Sequence, residues 1–88
     1  LKTADDINED DITQLYKKIG INVKKYREKK GLTQLQLALR MNLKSVGLIS
    51  QAELYLKKQH FNIKHLYQIA YILECDISDF FTKYNEEK

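Results

Sequence analysis

Apolar residues recur at spacings of three and four between residues 11 and 29, at Ile12, Leu15, Ile19, Val23 and Tyr26. That spacing lines one face of a helix. Asp10 and Asp11 stand where an N-cap and a first-turn acid favour its start. Lys29 and Lys30 fall in its last turn, and Gly31 supplies a C-terminal stop. Gly20 interrupts the stripe, which leaves open one kinked helix or two shorter ones.

Thr33 then reads as the N-cap of a second helix, with Leu37, Ala38 and Met41 inward and Gln34, Gln36 and Arg40 outward. Asn42 and Leu43 close it, because Asn tolerates the left-handed conformation of a helix stop. A third helix is expected to begin near Ser45 and to run through Glu53, and Leu54-Tyr55-Leu56 can extend it by a turn. Asn62 caps a fourth, with Ile63, Leu66, Ile69, Ala70 and Leu73 on one face. Asp76 caps a short fifth, with apolar contacts at Ile77, Phe80 and Phe81. There is no proline, no alternating run longer than four residues and no internal repeat. The fold class is therefore all-α, a compact bundle of about five short helices.

Composition narrows the function classes. With 88 residues the chain suits one small core rather than a cleft-bearing enzyme fold. No run of 18 apolar residues exists, so no membrane span is expected, and no signal-peptide pattern opens the chain. The first residue is Leu1 rather than Met, the start expected of a fragment. The single Cys75 excludes an internal disulfide and a cysteine-rich zinc site, and a reducing cytoplasm is the natural compartment.

Charge divides the chain unevenly. Residues 1–11 carry Asp5, Asp6, Glu9, Asp10 and Asp11 against Lys2, a net of −4. Residues 12–88 carry 14 basic and 7 acidic side chains, a net of +7. The chain thus divides into an acidic extension at 1–11, a basic domain at 12–82 and a polar tail at 83–88 that is expected to fray. A basic small domain suits a polyanion such as nucleic acid. The acidic extension can shield the basic face or cross to a second subunit.

The segment from Arg27 to Glu53 carries the candidate chemistry. A helix ending at Met41, a short polar turn and a helix from about Ser45 form a helix-turn-helix at about 33–54. The second helix of such a pair can enter a major groove, where short polar side chains reach base edges and flanking lysines and amides hold phosphates.

Arg27-x-x-x-Gly31-Leu32-Thr33-Gln34-x-x-Leu37-Ala38 resembles the Cro and phage-repressor (XRE-like, lambda-repressor-like) helix-turn-helix family. Ile49-Ser50-x-x-Glu53 is similar to its recognition-helix signature. Leu66-x-x-Ile69-Ala70-x-x-Leu73 with Asp79-Phe80-Phe81 is similar to its last two helices. The resemblance covers roughly residues 19–81 and implies a five-helix DNA-binding domain. It implies that Thr33 caps the second helix and that Gln34 holds a phosphate. It implies a structural ion pair between Arg27 and Glu53, and base-edge positions at Val46, Gly47 and Gln51. Lys44, Ser45 and Ser50 are then backbone contacts, with Lys57 and Lys58 in the following loop. The family's turn glycine is replaced by Asn42. One extra residue separates Thr33-Gln34 from Ile49-Ser50, so that either Leu48 or Ile49 takes the buried position. The segment from Glu53 to Leu66 is about two residues longer than usual and lacks the customary Asn-Gly.

The remaining chemistry-bearing residues point to structure. His60 and His65 have no carboxylate or thiol at ligand spacing, so no metal is expected, and no cofactor is implied. Cys75 fits a small buried hydrophobe. Tyr26, Tyr67 and Tyr71 fit core or interface spacing better than base stacking. Lys24, Lys25 and Lys29 read as ordinary surface. The expected function is a sequence-specific transcriptional regulator of bacterial or phage type. It would act as a repressor that binds double-stranded DNA at an inverted-repeat operator as a homodimer. Phe80, Phe81 and Tyr84 are its candidate interface. Alternatives with the same fold are a restriction–modification controller with a polymerase partner, an antitoxin with a toxin partner, or a protein-binding module.

Overall fold

A computed structural model describes residues 1–84. Four α-helices make the body: α1 (Glu9–Lys29), α2 (Gln34–Arg40), α3 (Gly47–Ala52) and α4 (Ile63–Leu73). Short 3-10 turns occupy Ala4–Asp6, Leu56–Lys58 and Ile77–Phe81, and no strand occurs among the described residues. Residues 85–88 of the expected polar tail lie outside the described residues.

α1 starts earlier than its apolar stripe suggests. Asn8, not Asp10 or Asp11, is the N-cap, and its side chain accepts from the Asp10 amide at 2.9 Å. The helix passes through Gly20 without a break. A Cβ there would meet the Ala52 and Glu53 carbonyl oxygens at 2.5 and 2.6 Å, so the glycine serves close packing of α1 on the end of α3. Leu15 is 44% exposed, because the first turns of α1 run past the core.

Three helices end in the same way. Gly31, Asn42 and Glu74 sit at φ 73°, 61° and 56° after α1, α2 and α4. The amide that follows each reaches back five residues: Leu32 to Arg27, Leu43 to Ala38 and Cys75 to Ala70. These bonds satisfy carbonyls that the helix leaves open. Thr33 and Gln36 form a capping box on α2, and Asn62 and His65 form one on α4.

α3 departs from expectation at both ends. It begins at Gly47, with Val46 rather than Ser45 in the N-cap position. Leu54-Tyr55-Leu56 does not extend it, because Tyr55 turns left-handed at φ 54°. The fifth element is a 3-10 turn rather than an α-helix. Its three-residue period sends Phe80 fully into the core and leaves Phe81 38% exposed. Phe80 is therefore closed to any dimer interface. Tyr67 and Tyr71 are exposed on α4 and do not belong to the core. The core itself joins Val23 of α1, Leu37 and Ala38 of α2, Ile49 of α3, Leu66, Ile69 and Leu73 of α4, and Phe80.

Candidate nucleic-acid interface

The orientation of α3 is set by a buried polar cluster. Arg27 of α1 meets Glu53, the residue that ends α3, through Nε–Oε2 at 2.8 Å and Nη2–Oε1 at 3.1 Å. Its Nη1 donates to the Leu32 carbonyl at 2.7 Å. Gln34, the first residue of α2, donates its side-chain amide to Glu53 Oε1 at 2.9 Å. Arg27 and Glu53 are only 6% and 1% exposed. Charges this deep persist because each is paired and hydrogen-bonded. Among the described residues no buried side-chain polar atom lacks a partner. The cluster thus ties α1, the α1–α2 loop, α2 and α3 to one carboxylate. Gln34 is turned inward and half-buried rather than outward, with its amide engaged by Glu53.

Ile49 is the fully buried residue of α3, with Ala52 beside it and Leu48 only half-buried. That fixes the register of the helix despite the long turn. With Ile49, Ala52 and Glu53 inward, the helical period puts Gly47 and Gln51 on the opposite arc and Ser50 on its flank. All three are partly exposed. Ser50 donates its hydroxyl to the Gly47 carbonyl at 3.2 Å. Val46 is half-buried at the helix entrance. Lys44 and Ser45 lie exposed in the preceding turn, and Ser45 Oγ accepts from the Gly47 amide at 3.4 Å. Thr33 is exposed with its hydroxyl committed to the Gln36 amide at 3.0 Å.

The segment leaving α3 presents two lysines on strained backbone. Lys57 and Lys58 are exposed, at φ 53° and 61°. Left-handed backbone costs roughly 1–2 kcal/mol at a residue with a Cβ. A ring stack that spacing does not foreshadow braces this segment. Tyr16 of α1 lies between Tyr55 and His60, with centroids at 5.6 and 4.1 Å. His60 Nδ1 also lies 3.1 Å from the Lys58 carbonyl oxygen. The first turns of α1, though outside the core, thus hold the lysine-bearing segment.

Asn22 is a second residue that sequence reasoning missed. It is buried on α1 and donates its amide to the Phe80 and Thr82 carbonyls at 2.9 and 2.6 Å. A polar residue inside an apolar stripe, between Ile19 and Val23, is the signal that marks it.

His65 accepts from the Asn62 amide at 3.2 Å through Nδ1, a role that requires the neutral ring. Burial, then Lys64 and His60, hold its pKa below the usual value. Cys75 is half-buried, and burial with Asp79 pushes its thiol up to about 11, which makes it a poor nucleophile. Among the described residues no group of His, Cys, Asp or Glu is placed to hold a metal ion. No helix among them is long and apolar enough to cross a membrane.

Comparison with known proteins agrees with this geometry. The helix-turn-helix family of the Cro/C1 type matches residues 23–80, from within α1 to Phe80. No curated protein and no solved structure matches the chain.

Proposed function

Because this chain belongs to the Cro/C1-type helix-turn-helix family, a family of DNA-binding regulatory domains rather than of enzymes, we propose that it is a sequence-specific transcriptional repressor. α3 enters the major groove of an operator, and Gly47 and Gln51 face base edges, with Val46 at the groove wall. Lys44, Ser45, Ser50, Lys57 and Lys58 contact phosphates, as do Thr33 and the remaining valences of Gln34. One such domain reads only about four or five base pairs, so that specific binding at physiological salt calls for two copies on an inverted repeat. Repression is steric: the bound dimer excludes polymerase from the promoter. The protein acts on DNA in the cytoplasm of a bacterial or phage-infected cell.

The observation that carries this reading is the outward arc of Gly47 and Gln51, flanked by Ser50, on a helix oriented by a buried ion pair. Its test is selection of bound sequences from a random duplex pool at about 150 mM salt, near physiological ionic strength. The expected result is an inverted repeat with half-sites about 10–11 base pairs apart. Salt-sensitive background binding without enrichment would overturn it, in favour of an antitoxin or a protein-binding module.

A further inference from the structure

The outer face of α1 carries a charge pattern with no ion-pair partner among the described residues. Asp10, Asp11, Gln14, Lys17, Lys18 and Ile21 fall within an arc of about 120° at about 100° per residue, opposite the buried stripe. All six are exposed, and Ile21 is a large apolar residue left 49% open. Neighbours on a helix surface are three or four residues apart. At those spacings Asp10 and Asp11 find Thr13, Gln14 and Leu15 ahead of them, and Lys17 and Lys18 find the same residues behind. None of the four charges forms an ion pair among the described residues. The lysines border an open groove of about 430 Å³, lined also by Lys25, Lys83 and Tyr84, with the Lys25 ammonium 5.4 Å from the Tyr84 ring centroid.

We infer that this face pairs with the same face of a second copy, with the two α1 helices antiparallel. An isologous contact must be self-complementary. Centred on Gln14, an antiparallel arrangement sets Asp10 against the partner copy's lysine at 18 and Asp11 against its lysine at 17, and the symmetry repeats both contacts. The same register brings Ile21 level with Ile7, the other exposed apolar side chain just before α1. The helical part of the paired segment, residues 9–21, spans about 18 Å at about 1.5 Å per residue. A parallel arrangement would set acid on acid and lysine on lysine. Charge complementarity therefore selects one direction and one register. This surface supplies the pairing that the operator-binding reading asks for, and it rests on the two-copy part of that reading rather than on DNA contact. Exposed ion pairs are individually weak, so that the association is a reversible, salt-sensitive one.

Two charge-reversed proteins test the pairing in the full chain without DNA. One carries Asp10→Lys with Asp11→Lys, and the other carries Lys17→Asp with Lys18→Asp. Circular dichroism first establishes that each is folded, as substitution at exposed positions allows. Sedimentation at low salt, up to millimolar concentration, then reads the oligomeric state. Wild type is expected to dimerise, each variant to lose roughly tenfold or more in dimerisation constant, and an equimolar mixture of the two to recover the dimer. Variants that dimerise like wild type would overturn the proposal and move the contact elsewhere, for example to the exposed Tyr67 and Tyr71. A monomeric wild type, or a mixture that stays monomeric, would overturn it as well and leave the lysine groove to a different acidic partner. Operator selection with wild type reads the DNA function separately: a charge-dependent dimer that enriches no sequence would sink the operator reading and leave this surface standing.

Discussion

Glu53 Oε1 accepts from both Arg27 Nη2, at 3.1 Å, and Gln34 Nε2, at 2.9 Å, so that one buried oxygen joins α1 and α2 at the end of α3. Removal of either ionic partner strands the other in a site that is almost dry. Breaking a buried pair from one side costs about 3–5 kcal/mol, a large share of the roughly 5–15 kcal/mol that holds a small domain. Glu53→Ala and Arg27→Ala are each expected to lower the melting temperature by roughly 12 °C or more, at about 4–8 °C per kcal/mol. Arg27→Met combined with Glu53→Leu is expected to recover part of the loss, because no lone charge remains. A melting scan of the four proteins decides this, and a single variant that melts with wild type would mean that the ion pair contributes nothing.

Gly20 and Gly47 are both helical, yet alanine should act on them in opposite directions. Helix propensity alone favours alanine by about 1 kcal/mol. At Gly47 the nearest atom to a new Cβ is Ser45 Oγ at 3.6 Å, an ordinary contact, so that Gly47→Ala should keep part of that gain, reduced because Gly47 is the first residue of α3 rather than an interior one. At Gly20 the new carbon would lie 2.5 Å from a backbone oxygen that cannot rotate away. Gly20→Ala should therefore destabilise by about 1–3 kcal/mol, the usual range for overpacking. Urea titration of both variants measures the difference, and equal shifts would contradict the close approach of α1 to α3.

Stability should fall on both sides of neutrality for named reasons. Burial, Lys64 and His60 lower the His65 pKa from 6.5, so that the folded state prefers the neutral ring. Its contribution is present above pH 6.5 and is lost as pH falls through the lowered folded value. Cys75 works the other way: its pKa rises from 9.0 to about 11, so that its contribution is complete below pH 9.0 and is lost as pH rises to about 11. Tyr26, raised above 10.0 by burial and by Asp79, extends the alkaline loss. His65→Gln should flatten the acid limb of a stability–pH profile, and Cys75→Ala the lower part of the alkaline limb. Unchanged limbs would show that these groups titrate alike in folded and unfolded chains. At neutral pH the Cys75 thiol should also react with iodoacetamide more slowly than in the urea-unfolded chain.

The elements that were legible in the sequence are those whose pattern is local. α1, α2 and α4 announce themselves by apolar periodicity, and the stops at Gly31 and Asn42 by residues that accept left-handed backbone. α3 has six residues, too few for a period, and its limits depend on what Ile49 and Glu53 pack against. Phe80 and Phe81 are chemically identical neighbours, and only the 3-10 geometry of their turn decides which one is buried. Periodicity placed Leu15 in the stripe but carries no information on how far the core reaches along α1. The bonds from Asn22 to Phe80 and Thr82 span 58 and 60 positions, and that from Gln34 to Glu53 spans 19. No spacing rule reaches so far, which is why periodicity points Gln34 outward when its side-chain amide is turned in to Glu53.

Gln51 and Lys58 separate base reading from phosphate binding. Gln51 lies on the outward arc of α3, partly exposed, and an amide there can make a bidentate contact with adenine in the major groove. Gln51→Ala should cost about 1–3 kcal/mol on the selected site and little on random duplex. Lys58 is exposed on the strained segment after α3 and meets only phosphate in the proposed complex. Lys58→Ala should weaken binding to every sequence alike and reduce the slope of log K against log salt by roughly one. Tyr16→Ala should resemble Lys58→Ala rather than Gln51→Ala, because the Tyr16 ring braces the segment through Tyr55 and His60. Fluorescence anisotropy on the selected and scrambled duplexes across a salt series distinguishes these outcomes. Equal losses on both duplexes for Gln51→Ala would remove it from base reading, and an unchanged salt slope for Lys58→Ala would remove that lysine from the phosphate contacts.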